Sequence, residues 1–73
     1  MPSNNRGYAV LVVIDGEEEF LCVGMTTQVA RFPTKLAATR QADFLFEGLD
    51  EGDSVTVVNF PSKERLKADG YTT

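Results

Sequence analysis

The amino-acid sequence predicts a small α+β domain with the element order β-β-α-β. The run Tyr8–Ile14 is apolar and rich in β-branched residues, which are typical of strands. The pair Asp15-Gly16 follows at once and is a strong signal for a hairpin turn, because glycine supplies the positive φ that a tight turn needs. Residues 35–47 have the apolar spacing of a helix that buries one side.

The first strand carries apolar residues on both of its faces. Side chains alternate along a strand, so one face presents Tyr8, Val10, Val12 and Ile14, and the other presents Ala9, Leu11 and Val13. A strand that is apolar on both sides belongs in the middle of a sheet. We therefore expect the other strands to pair on either side of it.

The hairpin predicts an antiparallel second strand. Glu17, Glu18 and Glu19 follow the turn, and we expect them to form a solvated tip rather than a calcium loop, because the spacing of an EF-hand is missing. The return strand is predicted at residues 20–23 and ends at Gly24. Residues 24–33 have no clean period and are interpreted as a connection.

The predicted helix has clear limits. Thr34 is placed to act as the N-cap, and Gly48 is placed to end the helix in the left-handed conformation. The core face should contain the residues that recur at helical spacing, which are Ala38, Ala42, Leu45 and Leu49. The small alanines would allow the helix to lie close to the sheet.

A third strand at residues 54–60, stopped by Pro61, completes a three-stranded, mainly antiparallel sheet. We expect the first strand in the middle, the second on one side and the third on the other, with the helix packed on one face. One helix covers only one face. The second face stays open unless the 24–32 connection or the tail folds over it.

The 73 residues are predicted to form one domain, residues 1–73, near the size at which a single core is just sufficient. Residues 1–6 are polar and should form a flexible arm. The tail, residues 62–73, should be loosely structured; a short helical turn capped by Ser62 is the alternative.

Charge and cysteine content favour a protein partner inside a cell. Eleven acidic residues against seven basic ones give a net charge of −4, which disfavours free binding to nucleic acid. The single cysteine permits no internal disulfide, as in a reducing compartment. No signal peptide or membrane span is evident, so we expect a cytoplasmic protein.

The sequence predicts no enzyme, no cofactor and no metal site. It contains no histidine, which removes the commonest general base and metal ligand. Cys22 lies among apolar residues and is interpreted as structural. No glycine-rich phosphate-binding motif is present.

Two groups of residues are predicted to bind a protein partner. The first is the end of the arm with the start of the strand, and the second is the basic tail; together they are Asn5, Arg6, Gly7, Tyr8, Lys63, Arg65 and Lys67. Arginine and tyrosine are enriched in binding hot spots. The open sheet face and the sheet edges are further candidates.

Over its whole length, with its polar arm, apolar first strand, acidic hairpin, Thr34-capped helix and basic tail, the chain resembles the small RNA-polymerase-binding transcription regulators of lytic Xanthomonas phages. The resemblance implies a protein of the host bacterial cytoplasm that binds the amino-terminal part of the polymerase β′ subunit near the RNA exit channel. Such a protein inhibits initiation by promoting sigma-factor displacement and acts as an antiterminator. The elongation factor NusA and nascent RNA are implied as further contacts.

Two alternatives remain open at the level of sequence. In one, the chain is a phage inhibitor of another host machine, such as a CRISPR effector or a nuclease, and the acidic residues between 43 and 53 imitate a phosphate backbone. In the other, it is a non-catalytic interaction module that dimerises through the open sheet face.

Overall fold

The computed structural model describes residues 7–73, and the predicted flexible arm at residues 1–6 lies outside them. The described elements are β1 (Tyr8–Ile14), β2 (Glu17–Phe20), α1 (Lys35–Phe46), β3 (Ser54–Asn59) and α2 (Lys63–Ala68). The strands form one sheet in the order β2-β1-β3, and both pairings are antiparallel. The predicted α+β fold is confirmed.

The second strand begins earlier than predicted. Asp15 and Gly16 have φ angles of 54° and 81°, so they form a tight two-residue turn that places Glu17 directly opposite Ile14. The prediction of a strand at residues 20–23 was wrong, because a turn this short puts the three glutamates into β2 itself. The acidic side chains therefore line a sheet edge instead of a loop.

The α1 helix covers the face of the sheet that presents Val10. Thr34 is the N-cap, as predicted, and its Oγ1 accepts a hydrogen bond from the Ala37 N–H at 3.1 Å. Ala38 and Ala42 are buried against Val10, which is fully buried. The small side chains hold the helix close to the strands.

The predicted left-handed glycine at the end of α1 was wrong. Gly48 does not have a positive φ; its N–H bonds to the Leu45 carbonyl at 3.0 Å, and the chain continues into a second turn. The left-handed glycine of this region is Gly52, with φ 97°, in the acidic turn before β3. A glycine near a helix end fits several turn geometries, and the sequence does not distinguish them.

The second face of the sheet is covered by the tail, which was expected to be loosely structured with a capped helical turn as the alternative. The α2 helix begins after Ser62, whose Oγ accepts a hydrogen bond from the Arg65 N–H at 3.2 Å. Leu66 is 4% exposed and packs with Ala9 and Phe20. The tail thus contributes Leu66 to the core on this face of the sheet.

Tyr71 joins the tail to the edge of β2. Its hydroxyl accepts a hydrogen bond from the Phe20 N–H at 3.0 Å, and the two rings meet edge to face with centroids 5.7 Å apart. The Tyr71 N–H also bonds to the Leu66 carbonyl at 2.8 Å, which stops α2. These contacts cover the second face of β1 around Ala9, whereas Leu11 and Val13 are half-buried and line a groove beside α2.

The connection between β2 and α1 is more ordered than its sequence suggests. The Val23 N–H bonds to the Gln28 carbonyl at 2.8 Å, and the Ala30 N–H bonds to the Leu21 carbonyl at 2.9 Å, so the segment doubles back on itself. Val29, 4% exposed, joins the core on the α2 side. The connection therefore helps to cover the second face.

We predict that Ala38→Leu lowers the free energy of unfolding by about 1–3 kcal/mol, because Ala38 is 0% exposed and a larger side chain must push α1 off the sheet. Urea denaturation measures this. The matched control is Ala68→Leu, the same change at an exposed helical position. Equal stability of the two variants would contradict the close approach of α1.

We also predict that Leu66→Ala costs about 2–5 kcal/mol, because Leu66 fills the core between α2 and the sheet. Met25→Ala removes a long apolar side chain that is fully exposed, and it should change stability by no more than about 0.5 kcal/mol. A Leu66→Ala protein as stable as the parent in urea would mean that the tail does not pack.

Candidate protein-binding site

Gly7 and Tyr8, two of the predicted binding residues, lie where three segments of the chain meet. The Tyr8 N–H and carbonyl both bond to Phe32, at 2.8 and 2.9 Å, and the Gly7 carbonyl accepts a hydrogen bond from the Phe60 N–H at 3.0 Å. Gly7 has φ 84°, and a Cβ at this position would approach the Phe32 carbonyl oxygen to 2.5 Å. The site needs glycine here for both reasons.

Arg31 adds a cation beside this junction. Its guanidinium lies over the Phe60 ring, 4.2 Å from the centroid, which is a cation–π contact. The sequence analysis missed Arg31, because it is a single basic residue in a connecting segment that has no periodic apolar pattern. Its partner, Phe60, is 29 positions away in the chain. The contact places the Arg31 guanidinium beside Phe60, at the end of the sheet.

A groove of about 470 Å³ opens next to Phe60. Arg31 and Lys63 both line it, together with Phe60, Pro61 and residues of the connection and the tail, and no Asp or Glu side chain lies among the lining residues. The groove therefore has mixed apolar and polar walls and carries two cationic side chains. Within residues 7–73 of an acidic chain, it offers a locally positive surface.

Lys63 and Lys67 share one side of α2, and Arg65 points elsewhere. Residues four apart lie on the same helix face, whereas residues two apart do not. The Arg65 guanidinium lies 5.1 Å from the centroid of the Phe20 ring, and its Nε is 3.6 Å from the Asp69 carboxylate. The three basic residues do not form one patch.

The structure therefore joins parts of the two predicted binding groups. Gly7 bonds to Phe60, and Phe60 lines the groove with Lys63. Asn5 and Arg6 lie outside the described residues, directly before Gly7 in the chain. We define the junction groove as Gly7, Arg31, Phe60 and Lys63.

An acidic groove lies on the other side of α2. The β2 glutamates line it with Arg65, Asp69 and Tyr71. Two grooves of opposite charge thus flank one short helix. No group of three or more side chains arranged to hold a metal ion occurs among the described residues.

Cys22 has the environment of a structural thiol. Burial raises the pKa of the Cys22 thiol, and the negative charge of Glu19 raises that pKa further. The Sγ donates a hydrogen bond to the Phe20 carbonyl at 3.6 Å. Because a nucleophilic cysteine needs a lowered pKa, these effects act against such a role.

Comparison of the chain with protein-family models, with curated protein sequences and with solved structures gave no match. Among the described residues, no helix is long and apolar enough to cross a membrane.

We predict that Cys22 reacts slowly with iodoacetamide at neutral pH, because its raised pKa keeps the thiol protonated. The midpoint of the pH–rate curve should lie above that of the same cysteine in the unfolded chain. The control is the same chain unfolded in urea, where the ordinary pKa returns. Equal midpoints of the two pH–rate curves would contradict the structural assignment.

Proposed function

We propose that the protein binds the RNA polymerase of a host bacterium, at the amino-terminal part of the β′ subunit near the RNA exit channel. In this proposal it inhibits initiation by promoting displacement of the sigma factor, and it acts on elongating polymerase as an antiterminator, with NusA as a companion contact. The proposal starts from the resemblance of the whole chain to phage transcription regulators of this kind. The junction groove is the observation that supports it best.

The junction groove has the composition of a recognition site. It combines an aromatic ring with two cations, Arg31 and Lys63, and these residue types suit an acidic or phosphate-bearing partner surface. Residues 1–6 lead directly into Gly7, so Arg6 enters the same region of the chain. In the proposal, the partner contacts both the groove and residues 1–6.

Displacing a sigma factor requires binding and no catalysis. A ligand shifts an equilibrium when it binds one state more tightly than the other. If the protein binds core polymerase about tenfold more tightly than holoenzyme, the sigma equilibrium shifts by about 1.4 kcal/mol. The sequence predicts a protein that is not an enzyme, and such a protein is sufficient for this mechanism.

The net negative charge of the protein limits its contact with RNA in this proposal. With a net charge of −4, the chain does not bind free RNA well. Lys63 and Lys67, on one side of α2, supply a local contact for nascent RNA once the protein is held on the polymerase. Binding to polymerase thus precedes any contact with RNA.

We predict that Lys63→Glu weakens binding to purified core polymerase by about tenfold, or about 1.4 kcal/mol, because it reverses one of the two charges in the junction groove. The matched control is Lys35→Glu. Both lysines are the exposed first residues of helices, where glutamate favours the helix dipole, so both variants should fold. Surface-immobilised polymerase gives the two dissociation constants.

Arg6→Glu tests the contribution of residues 1–6 in the same binding assay. Transcription from a sigma-dependent promoter tests whether binding inhibits initiation. The proposed function fails if the parent protein retains no polymerase at low salt. If polymerase binds but Lys63→Glu and Arg6→Glu both bind as well as Lys35→Glu, the site assignment is wrong.

A further inference from the structure

The outer edge of β3 is a sheet edge with exposed pairing groups. The Phe60 N–H bonds to Gly7, so in the alternating pattern of an antiparallel pair Val58, Thr56 and Ser54 also point their backbone groups toward β1. The N–H and C=O groups of Val55, Val57 and Asn59 consequently point away from β1. No residue in 7–73 hydrogen-bonds to these outward groups.

The opposite edge of the sheet is protected, which makes the β3 edge distinctive. The outward N–H of Phe20 is bonded to the Tyr71 hydroxyl. The rest of β2 carries Glu17, Glu18 and Glu19, and charged side chains are a usual means of preventing edge pairing. In contrast, β3 consists of Ser-Val-Thr-Val-Val-Asn, with no charge and four β-branched residues.

We propose that two copies of this chain associate through their β3 edges, antiparallel across a twofold axis at Val57, to form a continuous six-stranded sheet. The outward groups require a register in which outward residues meet outward residues, and centring it on Val57 pairs all three of them. Val57 pairs with Val57 of the second copy, and Val55 pairs with Asn59, so that all three outward residues meet outward residues. A shift by one residue would place inward groups opposite outward ones.

The charges at the two ends of β3 favour a second copy as the occupant. The turn before β3 is acidic, with Asp50 and Glu51 exposed, and the end after β3 carries Arg31, stacked on Phe60, and Lys63. Antiparallel pairing brings the acidic end of one copy beside the basic end of the other, twice. The opposite charges meet at both ends of the joint.

The helices leave room for this joint. The α1 helix packs on both β1 and β3, and strands lie about 4.8 Å apart. The two α1 helices of a pair would therefore run about 10 Å apart on one face, which is an ordinary helix-packing distance. The α2 helix lies on the other face, where Leu66 packs in a cluster with Ala9, Phe20, Val58 and Phe60, and only its first turn, with Lys63, lies beside the end of β3.

Sedimentation velocity over micromolar to millimolar concentrations tests the proposal. The parent should convert reversibly from monomer to dimer. Thr56→Lys places a lysine on the exposed side chain beside the joint and should remain monomeric where the parent is dimeric, because the two lysines lie diagonally across the axis. Glu18→Gln makes the same change in net charge on the other edge and should dimerise like the parent. A parent that stays monomeric at millimolar concentration overturns the proposal.

Amide hydrogen exchange followed by NMR tests the register. The amides of Val55, Val57 and Asn59 should become protected as concentration rises, whereas the amide of Glu18, which points outward from β2, should not. Protection of the Glu18 amide as well would mean that β3 of one copy pairs with β2 of the next. Protection of the β3 amides at every concentration would mean that another segment of the same chain covers this edge. Either result overturns the proposal. Because Thr56 lies outside the junction groove, polymerase binding by Thr56→Lys separates this proposal from the proposed function.

Discussion

The structure depends on one constraint, which is that β1 is apolar on both faces and each face must be covered. Ala9 and Val10 are neighbours in the chain, point to opposite sides of the sheet and are both 0% exposed. A chain of 73 residues has little material for two covers. One cover is α1 with its small alanines, and the other is assembled from α2, Tyr71 and Val29.

This use of the tail determines where the cations lie. Because Leu66 must face the sheet, Lys63 and Lys67 are turned to one side of α2 and Arg65 to the other. Lys63 then shares a groove with Arg31, whereas Arg65 lies beside Phe20 and Asp69. Packing of the core thus divides one basic segment into two surfaces of different chemistry.

About half of the candidate site follows from sequence. Gly7 and Lys63 were predicted from the sequence, because Gly7 lies between Arg6 and Tyr8 and Lys63 lies in a basic tail. Arg31 was not, because its position depends on the Phe60 ring. Similarly, the glutamates were expected at a hairpin tip, and the two-residue turn placed them on a sheet edge.

The sequence by itself determined the strand order, the central place of β1, the N-cap of α1 and its alanine face. These features depend on local patterns, namely alternation, a turn dipeptide and helical spacing. Only the tertiary structure decided that the tail covers the second face and that Arg31 stacks on Phe60. Each of these depends on contacts between residues distant in the chain, and a local pattern carries no information about such contacts.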